Sequence, residues 1–414
     1  MERVERIELY HVSIPLPKPF YPSWIPGYPQ THNRCTLLRL TTSGGLEGIA
    51  AGMAFERERQ GLGSLLGPYL LGIDAEDIAT VNQRLREASY LGWRNAWIEA
   101  AFWDIKAKVQ GKPLYRLLQE AEETVTEVPV YCSTGEVRPA FQRIADVEGL
   151  EAMGFRAVKL RVHAQGLQED LDLLRGVAQE LGSRVSLAVD ANQGWPVSLI
   201  HKAPLWDLDR AIAFARACEE FGILWLEEPL DMHAYEELAS LRKQTKTPVA
   251  GGELNAGWHE LKIMIEKGSL DIYQPDATMS GGISDSLKVM KACRDQGLSF
   301  SPHTWTNGIG FLVNLHLYAA WHKRGFLEYP YEPPGWIPAF RDGILSQPIE
   351  ISPRGTVMVP QTPGIGIQLD KKALNRYGSR FYQMTPFRLA LHTIRQKGLK
   401  TALELKKARE TQRQ

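Results

Sequence analysis

The 414-residue chain has no apolar run approaching the length of a membrane span, no low-complexity tract and no formal net charge. The first absence argues against a transmembrane protein. The opening MERVERIELY alternates charged and apolar residues and lacks the apolar core of a secretory signal, so a cytoplasmic location is expected. Cysteine is scarce. Cys35, Cys132, Cys218 and Cys293 lie far apart with no CxxC spacing, which fits reduced thiols. The zero charge hides an asymmetry: residues 371–414 carry twelve Lys/Arg against two Glu, a surplus of ten, so residues 1–370 carry a deficit of ten. A basic tail of this kind binds nucleic acid or a membrane surface in some proteins. The simpler expectation is a solvated helix packing on a neighbouring subunit or on the acidic body, and neither a membrane nor a nucleic-acid partner is expected.

At this length one large domain plus a smaller one is the first expectation. Residues 1–125 read as α+β. VERIELYHVSI, RCTLLRLTTS and LEGIAAGMAF are strand-like, with a turn at Ser43-Gly44-Gly45, and helical patterns follow at 75–89 and 94–119. Between the first two strands, PLPKPFYPSWIPGYPQTHNR carries six prolines and several aromatics, so a long functional loop is predicted there. From about residue 126 to 370 the rhythm changes. VPVYCS, AVKLRV, VSLAVDA, ILWLEEP, PVAGGE, DIYQPDA, LSFSPHT and FLEYPY are eight short apolar runs, most of them separated by helical stretches. That is the pattern of a (β/α)₈ barrel or a close variant. An open doubly wound sheet is the alternative, but polar residues at nearly every strand end favour closure around one site. Residues 371–414 read as a closing segment and a basic helical extension.

Asp190, Glu227 and Glu253 end three successive runs, at the barrel rim where active sites are built. Three oxygen ligands converging there suit a hard cation, Mg²⁺ above all. Glu228, beside Glu227, is expected to point away from it. Lys159 and Arg161 are two apart and share a strand face, and Asp190 is the expected partner of Lys159. Asp276 and His303 end adjacent runs; a carboxylate beside a histidine fixes its tautomer and raises its basicity. Glu328 on the eighth run either hydrogen-bonds a substrate oxygen or neutralises Lys159.

Taken together, VKLR, VDANQGW, WLEEP, GGE, QPDATMSGG, SPHTW and FLE resemble the enolase superfamily in its mandelate racemase-like branch, over residues 1 to about 379. The resemblance implies a modified TIM (β/α) barrel with an N-terminal α+β capping domain. It implies that Asp190, Glu227 and Glu253 hold one Mg²⁺ per subunit, that the Asp276–His303 dyad moves the proton next to a substrate carboxylate, and that Glu328 hydrogen-bonds that carboxylate. It also implies a homo-oligomer. Abstraction of that proton places a second negative charge on the carboxylate, giving an ene-diolate that the cation, Lys159 and Glu328 stabilise.

Racemases of this branch read Lys-x-Lys where this chain has Lys159 and Arg161. A guanidinium stays protonated at ordinary pH and is a poor base. One competent base, His303, suits dehydration of an acid sugar to a 2-keto-3-deoxy acid, with Arg161 as an anchor. A racemase, epimerase or cycloisomerase is the alternative within the family; a retaining glycosidase and a non-catalytic binding barrel are the alternatives outside it. Specificity is expected from cap loops at about 16–34 and 52–58, the latter with Met53 and Glu56. Trp24 and Tyr28 would seal the pocket, and His32, Asn33 and Arg34 would bind hydroxyls or a distal carboxylate. Asn192 is a further substrate-binding candidate, and Trp305, Tyr329, Tyr331 and Trp336 are expected to add an aromatic wall.

Overall fold

The computed structural model describes residues 1–411 except 54–65, 68, 91–93, 120–122 and 322–324. The cap begins with three antiparallel strands, β1 (Val4–Phe20), β2 (Gln30–Thr42) and β3 (Glu47–Met53). Gly45 turns the second hairpin at φ +82°. The eight apolar runs form β4 (Glu127–Ser133), β5 (Ala157–Arg161), β6 (Ser186–Asp190), β7 (Leu226–Glu227), β8 (Val249–Gly251), β9 (Ile272–Tyr273), β10 (Ser299–Phe300) and β11 (Leu327–Pro330). They are parallel and in chain order, and β11 returns to pair with β4. The remaining seam, between β10 and β11, is tied by Ser301 Oγ donating to Phe326 O (2.8 Å) and Thr304 Oγ1 donating to Glu328 O (3.0 Å). The sheet is therefore a curled barrel and not an open doubly wound layer. A short strand β12 (Thr356–Met358) runs antiparallel to β4.

Local sequence explains the alternation. The helices Gly257–Lys267 and Gly282–Gln296 each stop at a left-handed glycine, Gly268 and Gly297, which turns the chain into β9 and β10 within a few residues. The predicted helix over 94–119 is instead a 3₁₀ turn at Ala96–Ile98 and helices Glu99–Val109 and Leu114–Leu118. Gly111 at φ +63° and Pro113 break the periodic pattern.

The proline-rich segment is less of a loop than its composition predicts. Here β1 and β2 stay paired as far as Pro15↔His32 and Phe20↔Gln30, leaving residues 21–29 as the connection. Prolines are tolerated because β1 has lost its second neighbour by then. That neighbour is β13 (Gly378–Met384), which pairs only with Ile7–Val12 and makes β1 an edge strand beyond it. The region read as a closing segment and helical extension thus contributes a strand to the cap sheet, in the order β13-β1-β2-β3.

Two helices follow, Pro386–Lys397 and Leu399–Thr411; the first buries no residue, and Phe387, Leu399 and Leu403 are more than half exposed. The helical pair therefore does not bury itself in its own acidic body. A chain ending at Thr385 should keep the unfolding midpoint of the full chain. One ending at Tyr377 loses β13 and the Arg380–Glu8 ion pair (2.6 Å), and should be less stable by about 2 kcal/mol or more in urea titrations.

Helix Gly308–Trp321 is buried along its whole length and fastens cap to barrel. Its His316 accepts from Tyr115 N (3.2 Å) and donates through Nε2 to Ile365 O (3.1 Å). Burial pushes this imidazole down to about 4, the Ile365 carbonyl opposing only in part. The unfolded chain takes up a proton near pH 6.5 that the folded one refuses. Stability from His316 is thus present above pH 6.5 and lost as pH falls toward 4, by about 2 kcal/mol at pH 5. His316→Gln should flatten the drop in urea midpoint between pH 7.5 and 5.

Candidate active site

The strand pattern decides which side chains face the barrel axis. In the β5–β6 register Arg161 sits level with Asp190, while Lys159 sits level with Ala188, one pleat lower. Arg161 therefore takes Asp190 as its close partner, and Lys159 lies 3.4 Å from it. Lys159 reaches across the barrel instead, binding Glu227 closely and Glu328 at 2.9 Å. The expected Lys159–Asp190 pair is thus the weakest of the three. Glu328 turns its second oxygen to the Thr304 N–H (2.6 Å).

On the opposite side, His303 donates from Nδ1 to Asp276 Oδ2 (3.0 Å) and presents Nε2 to Glu253 Oε2 (3.3 Å). The other oxygen of Asp276 accepts from Thr278 N (2.7 Å), Thr278 Oγ1 (2.8 Å) and Asn314 Nδ2 (2.9 Å), so the carboxylate cannot rotate away from the ring. The predicted dyad is assembled. Burial works against the imidazolium, but the charges of Glu253 and Glu328 and the Asp276 bond outweigh it and lift His303 to about 10.

Arg161 is held on every side. Its Nε donates to Thr134 O (2.5 Å), Nη2 to Ser133 Oγ (3.1 Å) and Nη1 to Asp190 and Asn192. Its guanidinium carbon lies 5.3 Å from the Trp24 ring centre and 5.7 Å from that of Trp305. Asn192, at φ +48°, accepts from Ser23 of the cap (2.6 Å) and donates its N–H to Asp190 Oδ1 (2.8 Å), so it links cap loop, arginine and acid.

Glu228 follows Glu227 at the end of β7 and is buried. At φ +44° its side chain packs on Gly194, where any Cβ would collide with it, and its Oε2 has no partner among the described residues. Burial, then the charges of Glu253 and Asp190, push its carboxyl well above the ordinary range. Burial likewise raises Asp190 and Glu253, despite Arg161 beside the first and His303 beside the second. Lys159 outweighs burial at Glu227 and Glu328 and holds both low.

Six buried acids (Asp190, Glu227, Glu228, Glu253, Asp276, Glu328) thus face two permanent cations, Lys159 and Arg161. Among the described residues no three acids are already gathered into a cation site; each leans on a neighbouring donor instead. The donor set is nevertheless all hard oxygen and short of positive charge, and the neighbouring Glu228 leaves Oε2 without a partner among the described residues. That chemistry fits a divalent cation such as Mg²⁺ on Asp190, Glu227 and Glu253.

A cleft of about 500 Å³ opens above these groups, between the cap loop and the barrel rim. Trp24, Tyr28, His32, Arg34, Met53, Asn192, Trp305 and Trp336 all line it, with Arg161, Glu253 and His303 at its floor. Asn33 also borders it, but its amide donates to Phe340 O (3.1 Å) and Arg341 O (3.3 Å), fastening cap to barrel. Tyr329 and Tyr331 do not reach it. Tyr329 faces outward from β11, as alternation with inward Glu328 requires, and packs on Phe311 with its hydroxyl on Ile349 O (2.6 Å). Glu56 lies outside the described residues. Sequence reasoning missed Trp195, which donates to Glu253 Oε1 (3.2 Å), and Met279, Thr306 and Asn307 in the wall. It also missed Ser133, which accepts from both Arg161 and Trp305. Trp195 stood inside the VDANQGW motif, Met279 inside QPDATMSGG and Ser133 at the end of the VPVYCS run; Thr306 and Asn307 lie just past SPHTW and carry no local signal.

Comparison with known proteins agrees with this architecture. Residues 13–119 match the mandelate racemase/muconate lactonizing enzyme N-terminal domain, and residues 142–373 match the enolase C-terminal domain-like family. The chain is 29% identical over 391 residues to the L-talarate/galactarate dehydratase of Salmonella typhimurium, covering 90% of each. It is 30% identical over 288 residues to the D-galactarolactone cycloisomerase of Agrobacterium fabrum, covering 68% of this chain and 72% of that one. The crystal structure of L-talarate dehydratase from Polaromonas sp. JS666, complexed with Mg and L-glucarate, superposes with a TM-score of 0.77 at 26% identity, over 93% of this chain and 99% of the other. The capping sheet, the curled parallel barrel and both domain matches have one reading: the chain belongs to the mandelate racemase/muconate lactonizing enzyme family of the enolase superfamily.

Proposed function

We propose that the protein is a Mg²⁺-dependent acid-sugar dehydratase that removes the proton next to a substrate carboxylate and expels the neighbouring hydroxyl. The observation that carries this reading is the asymmetry of the floor. One wall presents His303 on Asp276; the facing wall presents Arg161, fixed by Asp190, Thr134, Ser133 and two tryptophan faces. A guanidinium so held anchors anions and does not exchange protons.

Bound Mg²⁺ supplies electrostatic stabilisation of the negative charge that grows on the substrate carboxylate. Lys159 adds a fixed cation beneath it. Glu253 is the largest of the charges that raise His303, ahead of Glu328 and Asp276, so a cation that drew on Glu253 would ease that hold, and Nε2 of the neutral ring would accept the proton. The C–H electron pair forms the ene-diolate. His303, now imidazolium, returns its proton to the β-hydroxyl as the C–O bond breaks, so one water leaves and the enol product becomes a 2-keto-3-deoxy acid. Trp24 and Trp305 keep bulk water from this exchange, and His32 and Arg34 face the distal hydroxyls or carboxylate.

The test is a Mg²⁺-supplemented screen of mono- and diacid sugars, with 2-keto acid detected as the semicarbazone. Formation of 2-keto acid that stops with EDTA supports the reading; turnover indifferent to EDTA would sink it. A cycloisomerase is the second reading, favoured by the 30% identity to the galactarolactone enzyme. Deuterium entering the α position without loss of water would point there.

A further inference from the structure

Below the acids, the barrel interior holds an unusual layer. Three of its inward positions are small (Ala157, Ala188 and Ala250), and the space is filled by two large aromatics, Tyr131 and Trp225. Their rings meet edge to face at 4.9 Å. Trp225 precedes β7 and is two residues from Glu227, so both point to the axis. Its indole N–H rises to Glu227 Oε2 (2.9 Å). Gln274, just past β9, donates to the same oxygen (2.7 Å). Neither contact follows from packing alone: a buried indole N–H satisfies itself on any carbonyl, and this one is aimed at a strand-end acid.

We infer that Trp225 and Gln274 are positioning residues that clamp Glu227 Oε2 and so decide which oxygen the acid offers to a cation. A carboxylate oxygen has two lone pairs, and two N–H donors use both on Oε2. Oε1 is left, shared with Lys159, whose ammonium also lies 3.4 Å from Asp190. The clamp also stops Glu227 from rotating to bind Lys159 through both oxygens, which would withdraw it from a cation. The inference rests on the reading that Glu227 helps to hold Mg²⁺, and it assigns function to the tryptophan of WLEEP and the glutamine of QPDA. Such supporting hydrogen bonds are typically worth 10- to 100-fold in metal affinity.

The experiment is calorimetric titration of Mg²⁺ into the full-length, substrate-free protein. Trp225→Phe removes the N–H and keeps a ring in the layer; Gln274→Leu removes the other donor. Each is expected to weaken Mg²⁺ binding about 10-fold or more, while kcat recovers at saturating Mg²⁺. Tyr131→Phe is the control, since its hydroxyl has no hydrogen-bond partner among the described residues and lies in the same layer. It should bind Mg²⁺ like the wild type, and circular dichroism and unfolding midpoints report folding for all three. Binding by Trp225→Phe within about threefold of wild type overturns the inference. Equal weakening in Trp225→Phe and Tyr131→Phe also overturns it, because loss of packing would then be the cause. If the wild type binds no Mg²⁺, the metal reading of Glu227 falls first and the clamp falls with it.

Discussion

Replacing His303 with asparagine should lower kcat for 2-keto acid formation by about 10⁴-fold, the upper end of what one positioned acid–base group contributes. The size follows from the double duty of this side chain. It takes the α-proton and then gives it to the departing hydroxyl, and the facing wall offers only a locked guanidinium. Asparagine is the informative replacement because its amide can still donate to Asp276, which keeps the Thr278 and Asn314 bonds in place. Binding of substrate should therefore survive, with KM within a few-fold. The check is steady-state kinetics alongside α-proton exchange in D₂O. Exchange that persists at near wild-type rate would mean a second base acts on the substrate, and the dehydration scheme built on one histidine would be wrong.

Much of this site was legible in the sequence because its chemistry sits at strand ends, where a short apolar run followed by an acid or histidine is a local signal. Asp190, Glu227, Glu253, Asp276, His303 and Glu328 stand out in this way, and all are buried around one floor. What the sequence hid was register. Lys159 and Asp190 lie on neighbouring strands, yet the pairing level belongs to Arg161, and a single strand carries no information about the stagger of the next. Residues such as Met279, Thr306 and Asn307 are brought in by loops whose course depends on the closed barrel.

The cap was harder still. Its fourth strand arrives some 370 residues after the first, and the prolines of β1 are legible as strand only once β13 is known to stop at Val12. The aromatic residues divide on the same ground. Trp305 and Trp336 both line the cleft and meet edge to face with ring centres 5.0 Å apart, whereas Tyr329 is turned outward by strand alternation.

Lys159→Met should be the most destabilising single change in the barrel. Lys159 is fully buried, and its ammonium faces Glu227, Glu328 and Asp190 at once. Methionine fills most of the stem volume, so the loss is one of charge and not of packing. Three carboxylates are then left in a space whose only other permanent cation among the described residues, Arg161, is committed to Asp190. Removing one partner of a buried ion cluster typically costs about 3–5 kcal/mol, and urea unfolding at pH 7.5 should show a loss of that size. The loss should shrink as pH falls, because the stranded acids take up protons in place of the missing ammonium. Added Mg²⁺ should restore part of the stability at pH 7.5, since a divalent cation on the same acids supplies the charge that Lys159 withdrew. Turnover should not recover with it, because the cation beneath the developing ene-diolate is gone. A midpoint that stays at the wild-type value without Mg²⁺ would show that the acids do not depend on Lys159, and the charge accounting of the floor would have to be redrawn.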